Sequence, residues 1–113
     1  MKQHHNRITP ELLPDLFPLN YLTDNEKELF CNQVQRQSAR AGKRLIELGS
    51  TDDRALYLLK GKLKLEAKDG HRHIVAAGTE DAKRAISHLI PHWYNVTSVT
   101  PVEYFWVDNF VLD

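Results

Sequence analysis

Arg40-Ala-Gly-Lys-Arg-Leu-Ile-Glu-Leu-Gly-Ser50, followed by Asp53-Arg-Ala-Leu-Tyr-Leu-Leu-Lys-Gly-Lys-Leu-Lys-Leu65, decides the architecture of this chain. Lys62-Leu-Lys-Leu-Glu66 alternates polar and apolar side chains, the period of a strand with one wet face and one face on a core. Arg44 to Leu48, Ala55 to Leu59 and Lys62 to Ala67 all read as strands, with Lys60-Gly61 as a tight link between the last two. Outward from there, Lys68-Asp-Gly70 makes a second turn and His71 to Ala76 a further strand. Ile74 and Ala76 take one face of that strand; His71, His73 and Val75 take the other. Asn95 to Val99 and Val102 to Val107, joined at Thr100-Pro101, complete six short strands. This spacing of strands and turns predicts a mainly β fold, a small sandwich or jelly roll.

Helical signals flank the strands. Thr9-Pro10-Glu11 has a capping residue, Pro at the first helical position and a carboxylate in the first turn, although Pro14 and Pro18 keep that helix short. Thr23-Asp-Asn-Glu26 has the capping-box spacing. Leu22, Leu29, Phe30 and Val34 then form one stripe, so residues 24 to 35 are expected as an amphipathic helix. Ala82, Ala85, Ile86 and Leu89 repeat at i, i+3, i+4, i+7, which predicts a short helix over residues 81–89, closed by Pro91. Tyr104, Phe105 and Trp106 alternate on the last strand. One side is expected to face the core, the other a helix begun at Asp108. Residues 108–113 read as the start of that helix and imply a domain cut from a longer protein. Residues 1–8 are polar and expected to be flexible, and residues 1–113 form one domain.

Composition narrows the function classes. The 113 residues are 42% hydrophobic and 27% charged, with fifteen basic residues against fifteen acidic ones. A neutral balance does not advertise a nucleic-acid-binding face. The single cysteine, Cys31, has no internal disulfide partner, and its helical neighbours Leu29 and Phe30 make it a half-buried packing residue. No apolar run is long enough to span a bilayer and the polar start carries no secretory signal, so a cytoplasmic location is expected.

Ala-Gly-Lys-x-Leu-Ile-x-x-Gly at 41–49 and Leu-Tyr-Leu-Leu-x-Gly-Lys-Leu-Lys at 56–64 are preceded by two helical segments. They are followed by Asp69-Gly70 and Gly78-Thr-Glu-Asp81. This order resembles the cyclic-nucleotide-binding domain of the cyclic AMP receptor protein superfamily, over residues 12–113. The resemblance implies a double-stranded β-helix (jelly roll) with short flanking α-helices, structural glycines at Gly42, Gly49, Gly61 and Gly78, and a regulatory or sensor role. It also implies a cassette in which Gly-Glu-Leu opens a short helix, the Glu takes a ribose hydroxyl, and an Arg in an Arg-Ser/Thr-Ala triplet pairs with the cyclic phosphate. Here Arg84-Ala85-Ile86 falls where Gly-Glu-Leu belongs and Tyr94-Asn95-Val96 where the Arg triplet belongs. No Asp or Glu occurs between residues 82 and 102, and no Arg follows Arg84. A charge-assisted hydrogen bond contributes about 1.5–3 kcal/mol, so losing two weakens binding by roughly two to four decades. The expectation is a degenerate site that does not bind cAMP in the usual way. Its candidate residues are Lys83, Arg84, Ala85, Ile86, Ser87, His88, Tyr94, Asn95 and Val96.

Competing readings carry less. His71 and His73 on one strand face, with Glu80 and His92, would suit a metal-binding cupin, but the spacing between the ligands does not match that pattern, and no metal or other cofactor is expected. His88 and His92 are separated by Pro91 and are not assumed to share a face. In the aromatic cluster His92-Trp93-Tyr94, Trp93 and Tyr94 are expected to cover the end of the core or to stack on a base or a partner side chain. The sequence shows no nucleophile–base pair and no phosphate loop, so an enzyme is not expected. The alternative to a sensor is a protein-interaction or dimerisation module that kept the fold without a ligand. Expected partners are a small-molecule or nucleotide ligand, a second copy of the chain and an output domain in a longer parent protein, with no membrane and no direct nucleic-acid contact.

Overall fold

The computed structural model describes residues 8–87 and 91–108. The expectations placed on residues 1–7, on His88 and Leu89, and on a helix beyond Asp108 lie outside the described residues. The chain enters through two 3-10 turns, Pro10–Asp15 and Leu19–Tyr21. Thr9 stands at the first of these in extended backbone but makes no side-chain cap. α1, Asp24–Gln33, starts with the expected capping box. The Thr23 N–H donates to Glu26 Oε1 at 2.8 Å and the Glu26 N–H donates to Thr23 Oγ1 at 3.2 Å. The Thr23 N–H, with the Thr23 hydroxyl as a smaller contributor, holds the Glu26 carboxyl below the usual carboxylate range. The expected apolar stripe is corrected at one position. Phe30 and Cys31 are buried, while Leu29 is 62% exposed, because the helix docks on the Phe30–Cys31 edge and leaves Leu29 outside. Cys31 is accordingly deeper than a half-buried residue.

Seven strands follow: β1 Gln37–Ala39, β2 Arg44–Ile46, β3 Arg54–Lys60, β4 Lys62–Ala67, β5 Arg72–Ala76, β6 Tyr94–Ser98 and β7 Val102–Asp108. Six occupy the expected segments to within a residue or two. β1 has no alternating pattern to announce it, since its residues are exposed or half-buried. The strands form two antiparallel sheets, β1-β7-β3 and β2-β6-β4-β5, so the protein is a β-sandwich with few helices.

β3 explains how two clusters of apolar side chains arise from one chain. Leu56 and Leu58 point between the sheets, where they meet Leu63, Leu65, Val75 and Val96. Tyr57 points to the other face and packs with Phe105, Leu13, Leu19 and Phe30. A strand buried on both faces must be apolar throughout, which is why Ala55-Leu-Tyr-Leu-Leu59 does not alternate. Tyr57 stacks on Phe105 at 5.3 Å between ring centroids, and Phe30 meets Phe105 edge-on at 6.0 Å. Burying side chains of this size contributes about 1.5–3 kcal/mol each. Among the described residues, the outer face of β7 is therefore covered by the N-terminal turns and α1. Gly61, at φ +90°, makes the β3–β4 link. A Cβ there would strike the Pro101 carbonyl and lie 2.7 Å from Thr100 Oγ1.

Candidate functional site

The segment between β5 and β6 lies across the mouth of the sandwich, and its conformation corrects the expected helix over residues 81–89. Among its described residues, 81–87, only Asp81–Lys83 is helical, as one 3-10 turn. Arg84 then bridges to Phe17 and Ile86 to Leu56. The Phe17 N–H donates to the Lys83 carbonyl at 2.7 Å. The Ile86 N–H donates to the Leu56 carbonyl at 2.7 Å, and the Leu56 N–H returns a bond at 3.2 Å. Backbone groups that a helix would have used internally are thus committed to the N-terminal segment and to β3. The i, i+3, i+4 spacing arose for another reason. Ala82 and Ile86 drop into the inter-sheet core while Ala85 packs against the helical cluster. A helix N-terminus facing a phosphate is consequently not built here.

Behind this segment is a cavity of about 320 Å³, within the size range of small-molecule sites. Leu65, His73 and Val75 of β4 and β5 form one wall; Asp81, Arg84, Ala85, Ile86, Ser87, Trp93 and Tyr94 form the rest. His73 Nε2 lies 3.0 Å from Asp81 Oδ2, which ties β5 to the 3-10 turn across the opening. The Arg84 guanidinium lies 5.0 Å from the centre of the Phe17 ring, a cation–π contact. The cavity wall therefore carries a carboxylate paired with a histidine, and a cation held on an aromatic ring.

The expected site residues divide accordingly. Arg84, Ala85, Ile86, Ser87 and Tyr94 come together around the cavity. Lys83 does not line it: its ammonium pairs with Glu80 at 3.1 Å. Asn95 turns to the other side of β6, where its Oδ1 accepts the Leu48 N–H at 2.8 Å. Val96 is fully buried in the core. His71 is exposed and pairs with Asp69 at 3.1 Å. No cluster of three or more metal-ligating side chains is present among the described residues, and no helix there is long and apolar enough to cross a membrane.

Sequence reasoning weighed His92 only as a metal ligand and missed its burial and its pairing with Ser87. It is 3% exposed and bonded at both ring nitrogens. Nδ1 lies 2.7 Å from Ser87 Oγ and Nε2 lies 2.8 Å from the Asp52 carbonyl. Its backbone is fixed as well, donating to the Ser50 carbonyl at 2.9 Å and accepting the Gly49 N–H at 2.7 Å. The i, i+5 spacing from Ser87 belongs to no regular element, so no periodicity could have paired them. Ser87 itself sits at φ +61°, a left-handed conformation that few non-glycine residues adopt. Beside this pair, Asp52 accepts two bonds from Arg54 at 2.8 and 2.9 Å, and those bonds hold its carboxyl below the usual range.

Known structures share this fold. The regulatory domain of Toxoplasma gondii protein kinase A, solved with cAMP, superposes at a TM-score of 0.72 and 19% identity over 89% of this chain and 40% of that one. A candidate cyclic nucleotide-binding protein of Geobacter metallireducens gives 0.71 and 20% over 93% of this chain and 79% of that one. The regulatory subunit of a cAMP-independent protein kinase A from Trypanosoma cruzi, bound to guanosine, gives 0.73 and 13% over 89% of this chain and 36% of that one. The fold is that of the cyclic nucleotide-binding domains, and the chain spans less than half the length of the two kinase regulatory chains. No protein-family model and no curated protein matches the sequence.

Proposed function

We propose that the chain is a regulatory, ligand-sensing domain of the cyclic-nucleotide-binding type. Its cavity takes an uncharged ring compound, a nucleoside in the first instance, and does not hold cAMP through a carboxylate–guanidinium pair. The observation that carries this reading is the Asp81 carboxylate on the cavity wall, 3.0 Å from His73, with the Arg84 guanidinium drawn onto Phe17. A phosphate entering this space meets a fixed negative charge, and the helix amides that would offset it are absent from the described residues. A hydroxyl-bearing ligand meets a carboxylate that accepts hydrogen bonds and aromatic side chains, Trp93 and Tyr94, that stack on a flat ring. The guanosine-bound Trypanosoma neighbour supports the same class of ligand. An output domain in a longer protein and a cytoplasmic setting belong to the same proposal.

Titration with guanosine, adenosine, cAMP and cGMP, read by Trp93 fluorescence, tests it. Saturable micromolar responses to a nucleoside, with the cyclic phosphates weaker, are expected. Tighter binding of cAMP than of adenosine overturns the ligand assignment. Silence with every compound favours the interaction-module reading instead. One observation speaks for that alternative: Phe17 and Tyr21 meet edge-on at 5.7 Å yet remain 42% and 74% exposed.

A further inference from the structure

The geometry points to a second chemistry in the same cavity: Ser87 is a nucleophile activated by His92, and it accepts acyl groups from small activated esters. This does not rest on the ligand reading above. The Asp52 carbonyl can only accept a hydrogen bond, so the His92 Nε2 facing it at 2.8 Å carries the hydrogen. In the neutral ring Nδ1 then bears the lone pair, and the Ser87 hydroxyl donates to it at 2.7 Å. A hydroxyl donating to an imidazole, itself oriented by a third group, is the arrangement that general-base activation of a serine requires. Here the third group is a backbone carbonyl.

Two further observations separate this pair from an ordinary surface contact. His92 is 3% exposed and anchored through its own backbone to Gly49 and Ser50, so the base is held in place before any substrate arrives. Ser87 lines the cavity at φ +61°, a left-handed backbone that few non-glycine residues adopt and that recurs at functional sites. In the reaction, Ser87 Oγ bonds to the ester carbonyl carbon while its proton passes to His92 Nδ1. The bond to the leaving alcohol breaks and that alcohol takes the proton from Nδ1. Water then enters by the reverse route and releases the acid.

The test treats the full chain with p-nitrophenyl acetate and, separately, a fluorophosphonate probe, and maps the adducts by peptide mass spectrometry. The adduct is expected on Ser87. Its rate should rise with pH along a single deprotonation, in the presence of the Asp52 carboxylate and Arg54 guanidinium beside His92. His92→Gln should slow it by about a hundredfold. Ser87→Gly, which suits the left-handed backbone, should abolish it with the fold intact. Adducts confined to lysines or to other serines overturn the proposal, as does an unchanged rate in His92→Gln. Should His92→Gln fail to fold, the site mapping and pH profile of the unaltered protein decide alone.

Discussion

Replacing Ser87 by Ala and by Gly in parallel measures how the candidate site is held. Both substitutions remove the hydroxyl that lies 2.7 Å from His92 Nδ1. Both leave a ring nitrogen of a residue that is 3% exposed without that partner. An unsatisfied buried polar group costs about 1–3 kcal/mol, and this loss is common to the two variants. They differ in backbone strain. At φ +61° a side chain bearing Cβ costs about 1–2 kcal/mol, which Gly escapes. Gly gives back roughly 0.4–1 kcal/mol through the greater freedom of its unfolded chain. The Gly variant should therefore be about 1 kcal/mol more stable than the Ala variant, a difference of roughly 4 °C in Tm for a domain of this size. Urea unfolding followed by tryptophan fluorescence supplies the free energies, provided the two m-values agree. An Ala variant as stable as the Gly variant would show that Ser87 is unstrained. An Ala variant as stable as the unaltered protein would show that the Ser87–His92 bond holds nothing.

Two further substitutions probe the frame around that site. Gly61→Ala adds a Cβ that strikes the Pro101 carbonyl at φ +90°, whereas Gly42→Ala at φ +85° meets open space. Gly42→Ala should show the conformational cost alone, about 1 kcal/mol, and Gly61→Ala should lose at least another 1–2 kcal/mol. Equal losses in chemical denaturation would refute the close approach. Asp52→Asn tests the carboxylate whose bonds to Arg54 hold it below the usual range. A carboxyl with a depressed folded-state pKa adds stability above its unfolded value, and that stability disappears as the pH falls through the folded one. The pair is partly exposed, so the substitution should cost no more than about 1 kcal/mol at pH 7. The gap between variant and unaltered protein should begin to narrow below about pH 4 in pH-dependent thermal melts and go on narrowing as the pH falls through the folded-state value. A gap that does not narrow between about pH 5 and about pH 2 would assign the effect to packing.

The strands were legible because their two environments leave different marks. β4 has a wet face, so Lys62 and Lys64 alternate with Leu63 and Leu65, and both its ends were placed correctly. β3 and β7 are covered on both sides, and their apolar runs are the mark of that. What covers the far side was not legible. Phe105 and Val107 require an apolar partner without saying which, and Phe30, Leu13 and Leu19 supply it from the other end of the sequence. His73 was read on the face it takes, with Val75; it pairs directly with Leu65 across β4 and β5 and stays largely exposed at the cavity wall. The segment from Asp81 to Ser87 was unreadable for a different reason. Its apolar residues serve two separate cores, and their summed spacing imitates one helical stripe.

That imitation bears on how the mouth of the sandwich is built. A helix over residues 81–89 would have kept its hydrogen bonds to itself and left its first amides free for an anion. An extended segment cannot do so, and its backbone bonds run outward to Phe17 and Leu56. The Tyr57 hydroxyl strengthens the first of these attachments by donating to the Phe17 carbonyl at 2.7 Å, and burial pushes that phenol's pKa upward. The segment is thus bolted to the N-terminal turns on one side and to the inter-sheet core on the other, while Ser87 and His92 pin its far end to the β2–β3 loop. On the ligand reading proposed above, the missing charged pair and the missing helix amides go together. Once the amides are spent on the protein's own carbonyls, an arginine and a glutamate introduced by substitution would still lack free helix amides to receive a phosphate. Introducing those two side chains alone should therefore raise cAMP affinity, read in a cAMP titration, by less than the roughly two to four decades expected of two charge-assisted hydrogen bonds.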